Sequence, residues 1–513
     1  MFPGASRWFV GGHWRGDVLA GISVALVLMP QSIAYARLAG LPPEAGLYAA
    51  IVAPIAAAAL ASSPWLQTGP VAMTSLLSFG TLVAIAEPGG AEYIKLAALL
   101  ALVVGLLRVF IGFMRAGFVT YLMSEPVLIG FSSAAAILIA ASQLPDAVGA
   151  ARGDEGLIQA VTNAFMNPAG WHPGALAFTI FSFLIIVVGR QRLPRIPWVL
   201  VAVIISLFCS IGLGYTGPVV GEMNISVPRL SMDLPWSSIP LLIVPGAVIA
   251  LVGFAEAAAI SRNMAARTRT SWSADREFIS QGAANIAAGF FSGMPVGGSF
   301  SRTALNFAAG GRTRAGGLIA GFTLMLMLPL TPLLAKLPTA VLAVIVITSV
   351  MKLIDLKSML ELLRISRAQA AVSLVTFLAT LVMSPRVDLG IFVGIVFGVG
   401  VHLWRERRIS IRNAYEDATL TLEAVGVLYF GSAPLLEDAL VTELAKHPKT
   451  ERLVIDLRKV GRIDYSSALI LRRVVARARE AGLQIQVRPG QPPQGERILR
   501  RVFGEDADCI SID

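Results

Sequence analysis

Charge, cysteine and histidine are all scarce in this chain of 513 residues, and each scarcity removes a class of explanation. Only 14% of the residues are Asp, Glu, Lys or Arg, where a water-soluble protein of this size carries about a quarter. The two cysteines, Cys209 and Cys509, lie far apart and give neither a disulfide framework nor a metal-ligand spacing. Four scattered histidines, His13, His172, His402 and His447, make no metal cluster, so no cofactor or metal is expected. The N-terminus lacks a short apolar core followed by a small-residue cleavage site, so no cleavable signal peptide is expected. No nucleophile can be placed beside a base and an orienting acid, which argues against an enzyme. The net charge is +10, yet the bases form no groove-sized cluster with interleaved aromatics, which argues against nucleic acid as a partner.

What the chain has in abundance is apolar sequence. Hydrophobic residues make up 55% of it, mean hydropathy is +0.71, and runs of about twenty apolar residues recur from Val18 to about Trp404. Fourteen hydrophobic segments are expected, centred near residues 26, 53, 78, 103, 130, 182, 204, 251, 285, 305, 324, 346, 376 and 395. Those opening near Val71 and Ser299 are too short to span as continuous helices. With the N-terminus inside, alternate loops collect bases: Arg108 and Arg115; Arg190, Arg192 and Arg195; Arg262, Arg267, Arg269 and Arg276; Arg312 and Arg314; Lys352, Lys357, Arg364 and Arg367; Arg405, Arg407 and Arg408. The opposite loops hold acids such as Asp146, Asp154, Glu155, Glu222 and Asp233. This asymmetry predicts both termini in the cytoplasm.

Two flawed membrane segments recur at an offset of 225 residues. Val24–Gly40 carries Pro30 and Gln31 in its middle, and Ile249–Ala265 carries Glu256; the offset lays Gln31 over Glu256 and Arg37 over Arg262. It also lays Pro70-Val71 over Pro295-Val296, each opening a short stretch rich in Gly, Ser and Thr. Paired interrupted segments in two halves of a membrane protein point to a transporter binding site. Seven spans per half is odd, so the second half enters from the opposite face and the halves become inverted repeats. Inversion turns the N-termini of the two short helices toward each other at the bilayer midplane. Each end offers unpaired N–H groups and partial positive charge, a site for an anion.

After Trp404 the composition becomes polar and alternating, and 406–513 reads as a small soluble α/β domain, leaving 1–405 to the membrane with repeats at about 15–213 and 240–404. Strands are expected at Thr419–Tyr429, Leu453–Leu457, Gln484–Arg488 and Cys509–Ile512, and helices at Ala433–Ala445, Ser466–Ala481 and Gly495–Val502, favouring a mostly parallel sheet. No Gly-rich phosphate loop occurs in this domain, which argues against nucleotide hydrolysis.

Three segments carry a family resemblance. LMPQSIAYARLAGLPPEAGLYAAIVAPIAAA resembles the signature of the SulP (sulphate permease) anion transporters, GGSFSRTALNFAAGGRT resembles their tenth-span motif, and ERLVIDLRKVGRIDYSSALIL resembles the heart of their C-terminal STAS domain. The resemblance covers nearly the whole chain. It implies a fourteen-span, seven-plus-seven fold with core and gate domains, elevator-type movement of one past the other, a homodimer, and a small anion substrate of the sulphate, bicarbonate or dicarboxylate class. The basic loops suit a bacterial inner membrane.

Proline removes an N–H and clashes with the preceding turn, so the first helix is expected to break at Pro30 and expose Gln31 and Tyr35 to the cavity. The other reading of these residues is a simple kink with Tyr35 packed in the bundle. Glu256, a carboxylate at mid-span, marks a functional site or a buried partner. The resemblance implies cation coupling there, by a proton or by sodium in its place; the other reading is a structural ion pair with Arg302. On the second short helix Ser299, Phe300, Ser301 and Arg302 suit an oxyanion, with Ser301 and Arg302 matching the family's anion site; Ser299 also suits a helix cap. On the first, Val71, Ala72 and Met73 offer backbone N–H groups, and Gly297 and Gly298 allow close backbone approach. Asp464-Tyr465-Ser466-Ser467 departs from the Asp-Ser-Ser-Gly form of STAS regulators whose serine is phosphorylated, and is read as a helix cap. The leading expectation is therefore a proton-coupled anion symporter. An uncoupled channel or exchanger of the same fold, a membrane-anchored STAS signalling module with a cytoplasmic partner, and a nucleobase permease of related fold stand as alternatives. The permease is disfavoured because it tends to present an acid where this chain has Ser301 and Arg302.

Overall fold

The structure, a computed structural model, describes residues 14–150, 162–163, 166–193, 196–223, 225–406, 409–490 and 493–510. Asp154, Glu155, Arg195, Arg407 and Arg408, assigned above to loops, lie outside the described residues, as do the last residues of the expected strand at Cys509–Ile512. The chain forms two compact units, Met1–Phe397 and Gly398–Asp513.

In the first unit, helices α1 (Trp14–Leu38), α2 (Pro43–Leu60), α3 (Ala72–Leu82), α4 (Ala91–Phe113), α5 (Glu125–Ser142), α6 (Leu144–Val148), α7 (Pro173–Arg192) and α8 (Trp198–Gly212) form the first half. The second half holds α9 (Ile239–Thr268), α10 (Ala274–Phe290), α11 (Phe300–Ala308), α12 (Ala315–Met327), α13 (Thr339–Val350), α14 (Leu356–Ile365), α15 (Arg367–Val382) and α16 (Val387–Glu406). All fourteen expected segment centres fall within helices. Nine helical stretches among the described residues are long and apolar enough to cross a bilayer, with α5 counted together with α6, α12 with the 3-10 turns that follow it, and α13 with α14; α3, α8 and α15 are shorter apolar helices. The short α6 and α14 were not anticipated.

The packing exchanges under a swap of the two halves. Helix α4 packs on α10 as α12 packs on α2, α1 on α12 as α9 on α4, and α5 on α15 as α13 on α7. Such reciprocity is what two repeats related by a two-fold axis produce. It also divides the helices: α1–α4 with α9–α12 form one set, and α5, α7, α13 and α15 another. Outward residues such as Phe181, Leu184 and Phe208 are exposed and apolar, as a lipid-facing surface requires.

Helix α1 does not break at Pro30 but runs unbroken through it. The ring removes only one N–H, and the residues around it, from Ala25 to Ala36 almost without interruption, are buried against other helices. Ser32 Oγ donates to Leu28 O at 2.6 Å one turn below, a further tie along the kinkable stretch. Gln31 and Tyr35 are therefore presented by a continuous helix rather than by freed backbone.

The second unit is a four-stranded sheet in the order β3 (Ser410–Glu416), β4 (Thr419–Leu428), β5 (Arg452–Ile463), β6 (Gln484–Arg488). The β3–β4 pair is antiparallel and the rest parallel. Helices α17 (Ala433–Lys446), α18 (Tyr465–Glu480) and α19 (Pro493–Phe503) lie close to the expected spans. Of the last expected strand, the described residues show a parallel bridge between Ile510 and Val487. Asp464 forms a capping box at α18: its carboxylate accepts from Ser467 N at 2.7 Å, while Ser467 Oγ accepts from Asp464 N at 3.2 Å. The cap reading of this motif is the one observed.

Candidate functional site

Two extended dipeptides sit at the centre of the first unit. Strand β1 (Thr68–Gly69) pairs antiparallel with β2 (Gly297–Gly298), Thr68 opposite Gly298 and Gly69 opposite Gly297. Helix α3 leaves from the first and α11 from the second, so the pairing brings their N-termini together. The N-caps are Val71 and Ser299, an offset of 228 residues. The offset of 225 lays Gln31 of α1 over Glu256 of α9. It fails at the short helices because Pro295 precedes β2 while Pro70 follows β1, so the two prolines are not equivalent.

Side chains from both halves clamp the crossing. Arg302 on α11 is fully buried; its Nη1 donates to Gln31 Oε1 at 3.2 Å and its Nη2 to Pro70 O at 3.0 Å. Helix α10 contributes a ladder at i, i+4, i+8. Glu277 accepts from the amides of Ser62 and Ser63, Gln281 Nε2 donates to Thr68 Oγ1 at 2.7 Å, and Asn285 both donates to and accepts from the backbone of Val296. Thr74 Oγ1 donates to Pro295 O, Gln67 N donates to Thr303 Oγ1, and Asn306 Nδ2 donates to Trp65 O. These polar groups satisfy an irregular backbone that lipid depth would otherwise penalise heavily.

Arg108 corrects a sequence assignment. It is fully buried within α4, not in a loop, and donates to the carbonyls of Ala250, Ile249 and Val296 at 2.9–3.2 Å. Gly253 makes room for it, since a Cβ there would stand 2.6 Å from Arg108 Nη2. Sequence reading missed both Arg108 and the α10 ladder; a lone arginine inside an apolar run, and polar residues four apart on one helix, were the available signals.

The expected site residues converge on this crossing. Val71, Ala72 and Met73 are buried at the start of α3, whose first-turn N–H groups have no intrahelical partner. Ser299 is buried and caps α11, accepting from Arg302 N at 3.4 Å, and its Oγ lies 3.3 Å from Ser301 Oγ. Phe300 is 46% exposed and Ser301 is exposed, so this end of α11 faces open space where α3 is enclosed. Gly298 packs directly on α9: a Cβ would fall 2.9 Å from Leu66 Cδ1 and 3.0 Å from Ala257 Cβ, one residue past Glu256. Tyr35 is buried, its hydroxyl meets Ser349 on α13, and it lies within electrostatic reach of Arg302, Glu256 and Arg190. Arg190, at the end of α7, thus reaches the neighbourhood of the site rather than serving only as a loop charge.

Among the described residues no ion pair joins Glu256 to Arg302. Arg302 turns to Gln31 and Pro70, and the carboxylate feels it through space. A cavity of about 250 Å³ opens along the same helix, lined by Ala255, Ala259 and Arg262 of α9 with Thr120, Ser124 and Glu125 across it. Three buried side-chain donors at the crossing, Gln31 Nε2, Gln67 Nε2 and Arg302 Nε, have no protein partner. Buried donors without partners beside two helix N-termini are suited to accept an anion.

Comparison with known proteins places this arrangement. Residues 14–376 match the sulfate permease family and residues 411–503 a STAS domain. A Mycobacterium tuberculosis protein named "Probable sulfate transporter" is 36% identical over 411 residues, 77% of this chain and 70% of the relative. Sulfate transporter 1.3 of Arabidopsis thaliana is 28% identical over 547 residues, 98% of this chain and 83% of the relative. In fold, the murine solute carrier 26 family member A9 anion transporter matches with a TM-score of 0.86 at 21% identity, over 95% of this chain and 87% of the other. The transmembrane domain of the cyanobacterial bicarbonate transporter BicA matches with a TM-score of 0.64 at 25% identity, over 76% and 99%.

Proposed function

The chain belongs to the sulfate permease family of anion transporters, a multi-pass membrane protein with a STAS domain, and on that premise we propose that it is a secondary active transporter that moves an oxyanion together with a proton. The observation that carries this reading is the β1–β2 crossing. It brings together two helix N-termini, each worth about half a positive charge, and the full charge of Arg302, whose Nε has no protein partner, as Nε2 of the neighbouring Gln31 has none. An anion bound there meets Ser301, Gln31 and the amides of Ala72 and Met73. Sulphate is the first candidate, as relatives are named for it, and bicarbonate the second.

Glu256 supplies the coupling. It stands on α9 next to the residue on which Gly298 rests, near enough to sense Arg302 yet not neutralised by it. With the carboxyl protonated, the site's positive charge is free for the anion; on release of the proton, the carboxylate competes with the anion and favours its departure. Sodium in place of the proton serves the same electrostatic role. Movement of the α1–α4, α9–α12 set past the α5, α7, α13, α15 set carries the loaded site across, in an elevator-type cycle. A homodimer, a bacterial inner membrane with both termini cytoplasmic, and a regulatory partner for the STAS domain complete the proposal.

Uptake into proteoliposomes tests it, with radiolabelled sulphate, bicarbonate and fumarate and a pH gradient acidic outside. The proposal expects one of them to accumulate under the gradient and to leak back when a protonophore collapses it. Equilibration without accumulation instead favours an uncoupled channel or exchanger of the same fold. Failure of every anion to move favours a membrane-anchored STAS signalling module.

A further inference from the structure

Helix α14 (Leu356–Ile365) is the part of the membrane unit that neither the spans nor the site explain. Ten residues span about 15 Å, half of what crossing a bilayer takes, so it links α13 to α15 without traversing. It is held firmly all the same. Asp355 caps it, accepting from Ser358 N at 3.0 Å and Ser358 Oγ at 2.6 Å. Its start is clasped to α5: Asp355 N donates to Ser133 Oγ at 3.0 Å, and that hydroxyl reaches Leu353 O at 3.4 Å.

Nine of the ten residues sort into three faces, about 120° apart at the helical 100° per residue. Ser358, Met359 and Leu362 are half-buried and turned to the bundle, where α14 packs on α5 and α15. Leu356, Leu360 and Leu363 form the second face and stand 47%, 63% and 55% exposed; Ile365, at the last position and 77% exposed, lies on the opposite side of the helix and belongs to none of the three faces. Lys357, Glu361 and Arg364 form the third, and Lys352 and Arg367 bracket the helix at its two ends, all exposed. A helix lying in water would not hold three leucines out at helical spacing, and a spanning helix would not carry a charged face. One environment suits both: the boundary between acyl chains and headgroups, where apolar side chains sink and long bases reach the phosphates. Four bases against two acids, Asp355 and Glu361, select acidic phospholipid.

We propose that α14 is an interfacial anchor. It lies in the leaflet on the side of the basic loops, with Leu356, Leu360 and Leu363 in the acyl boundary and Lys357 and Arg364 on acidic headgroups, and it holds the α5–α15 side of the bundle at a fixed depth. The Ser133 clasp transmits that hold to α5. Acidic lipid then speeds transport by steadying the frame past which the site-bearing helices move.

The first test does not depend on the transport reading. The full-length protein, with Cys209→Ala and Cys509→Ala, carries a single fluorophore at Leu360→Cys or at Glu361→Cys in vesicles of phosphatidylcholine and phosphatidylglycerol. A shallow lipid-borne quencher is expected to quench position 360 at least several-fold more than 361, and aqueous iodide to do the reverse. Equal quenching of both positions by iodide overturns the proposal. So does a label at 360 shielded from lipid and water alike, which would mean that a second copy or another protein covers the face. The second test is uptake by the full-length Lys357→Glu, Arg364→Glu variant. Wild-type uptake is expected to rise several-fold as phosphatidylglycerol replaces phosphatidylcholine, and the variant to stay near its phosphatidylcholine rate. A variant that responds to phosphatidylglycerol as wild type does overturns the charge recognition.

Discussion

The two short helices share a geometry and divide its chemistry. Helix α3 is enclosed along nearly its whole length, is capped by the extended backbone of Val71 with no side-chain bond, and opens on residues, Ala72 and Met73, that bring no polar side chain. Helix α11 is capped by a hydroxyl, turns Phe300 and Ser301 outward, and carries the buried guanidinium that ties the halves together. The longer helices at the same crossing divide likewise: α1 presents neutral Gln31 and α9 ionisable Glu256, 225 residues apart. The first repeat brings neutral groups to the crossing, and the second brings the arginine and the carboxylate on which the proposed transport cycle depends. Symmetry explains where the site is, and departure from symmetry explains what it does.

The comparison breaks most severely at Arg302. In Arg302→Ala, Gln31 Oε1 and Pro70 O lose their donors and the anion loses its charge partner. A loss of about 3 kcal/mol, about a hundredfold in uptake, is expected. Arg302→Lys keeps the charge but reaches only one of the two acceptors, and should recover a minor part. Wild-type uptake by the alanine variant would show the clamp to be dispensable. Next comes Gly298→Val, which forces β2 off Leu66 and Ala257. It should cost about 2 kcal/mol of stability, read as a lower melting temperature, together with impaired uptake.

Finer substitutions separate contact from framework on α11. Ser301→Ala should raise KM for the anion about tenfold with little change in melting temperature, by loss of one hydrogen bond to a charged group. Ser299→Ala should do the opposite, lowering stability by about 1 kcal/mol as a lost cap with a smaller change in KM. The smallest expected effect is a gain: Val71→Ser gives α3 the side-chain cap it lacks and should raise stability by about 0.5 kcal/mol. If it instead alters substrate selection, α3 reads the anion as well as framing it.

Much of this was legible beforehand. Hydropathy located fourteen of the sixteen described helices of the first unit, missing only the short α6 and α14, because a run of apolar residues is a property of the chain alone. The candidate site residues were findable as anomalies in such runs, as with Glu256. What failed was whatever depends on a partner. Pro30 broke nothing, because a helix packed among neighbours tolerates one missing hydrogen bond. Arg108 looked like a loop base because hydropathy gives no sign of the three carbonyls that receive it. The offset slipped by four residues at β1 and β2, because a two-residue strand has no periodicity to register. In the second unit β3 escaped notice for a related reason: it is an edge strand, largely exposed, with no apolar alternation. The ladder of Glu277, Gln281 and Asn285 is the exception, for its four-residue spacing was present in the sequence and simply not read.

The division between the halves rests finally on Glu256. The most direct measurement compares Glu256→Gln with wild type in two assays on the same proteoliposomes: accumulation driven by a pH gradient, and exchange of labelled for unlabelled anion without one. The account predicts that the variant exchanges anion at a rate near wild type but no longer accumulates it, because the site persists while the proton carrier is gone. Gradient-driven accumulation by Glu256→Gln at the wild-type level would contradict it.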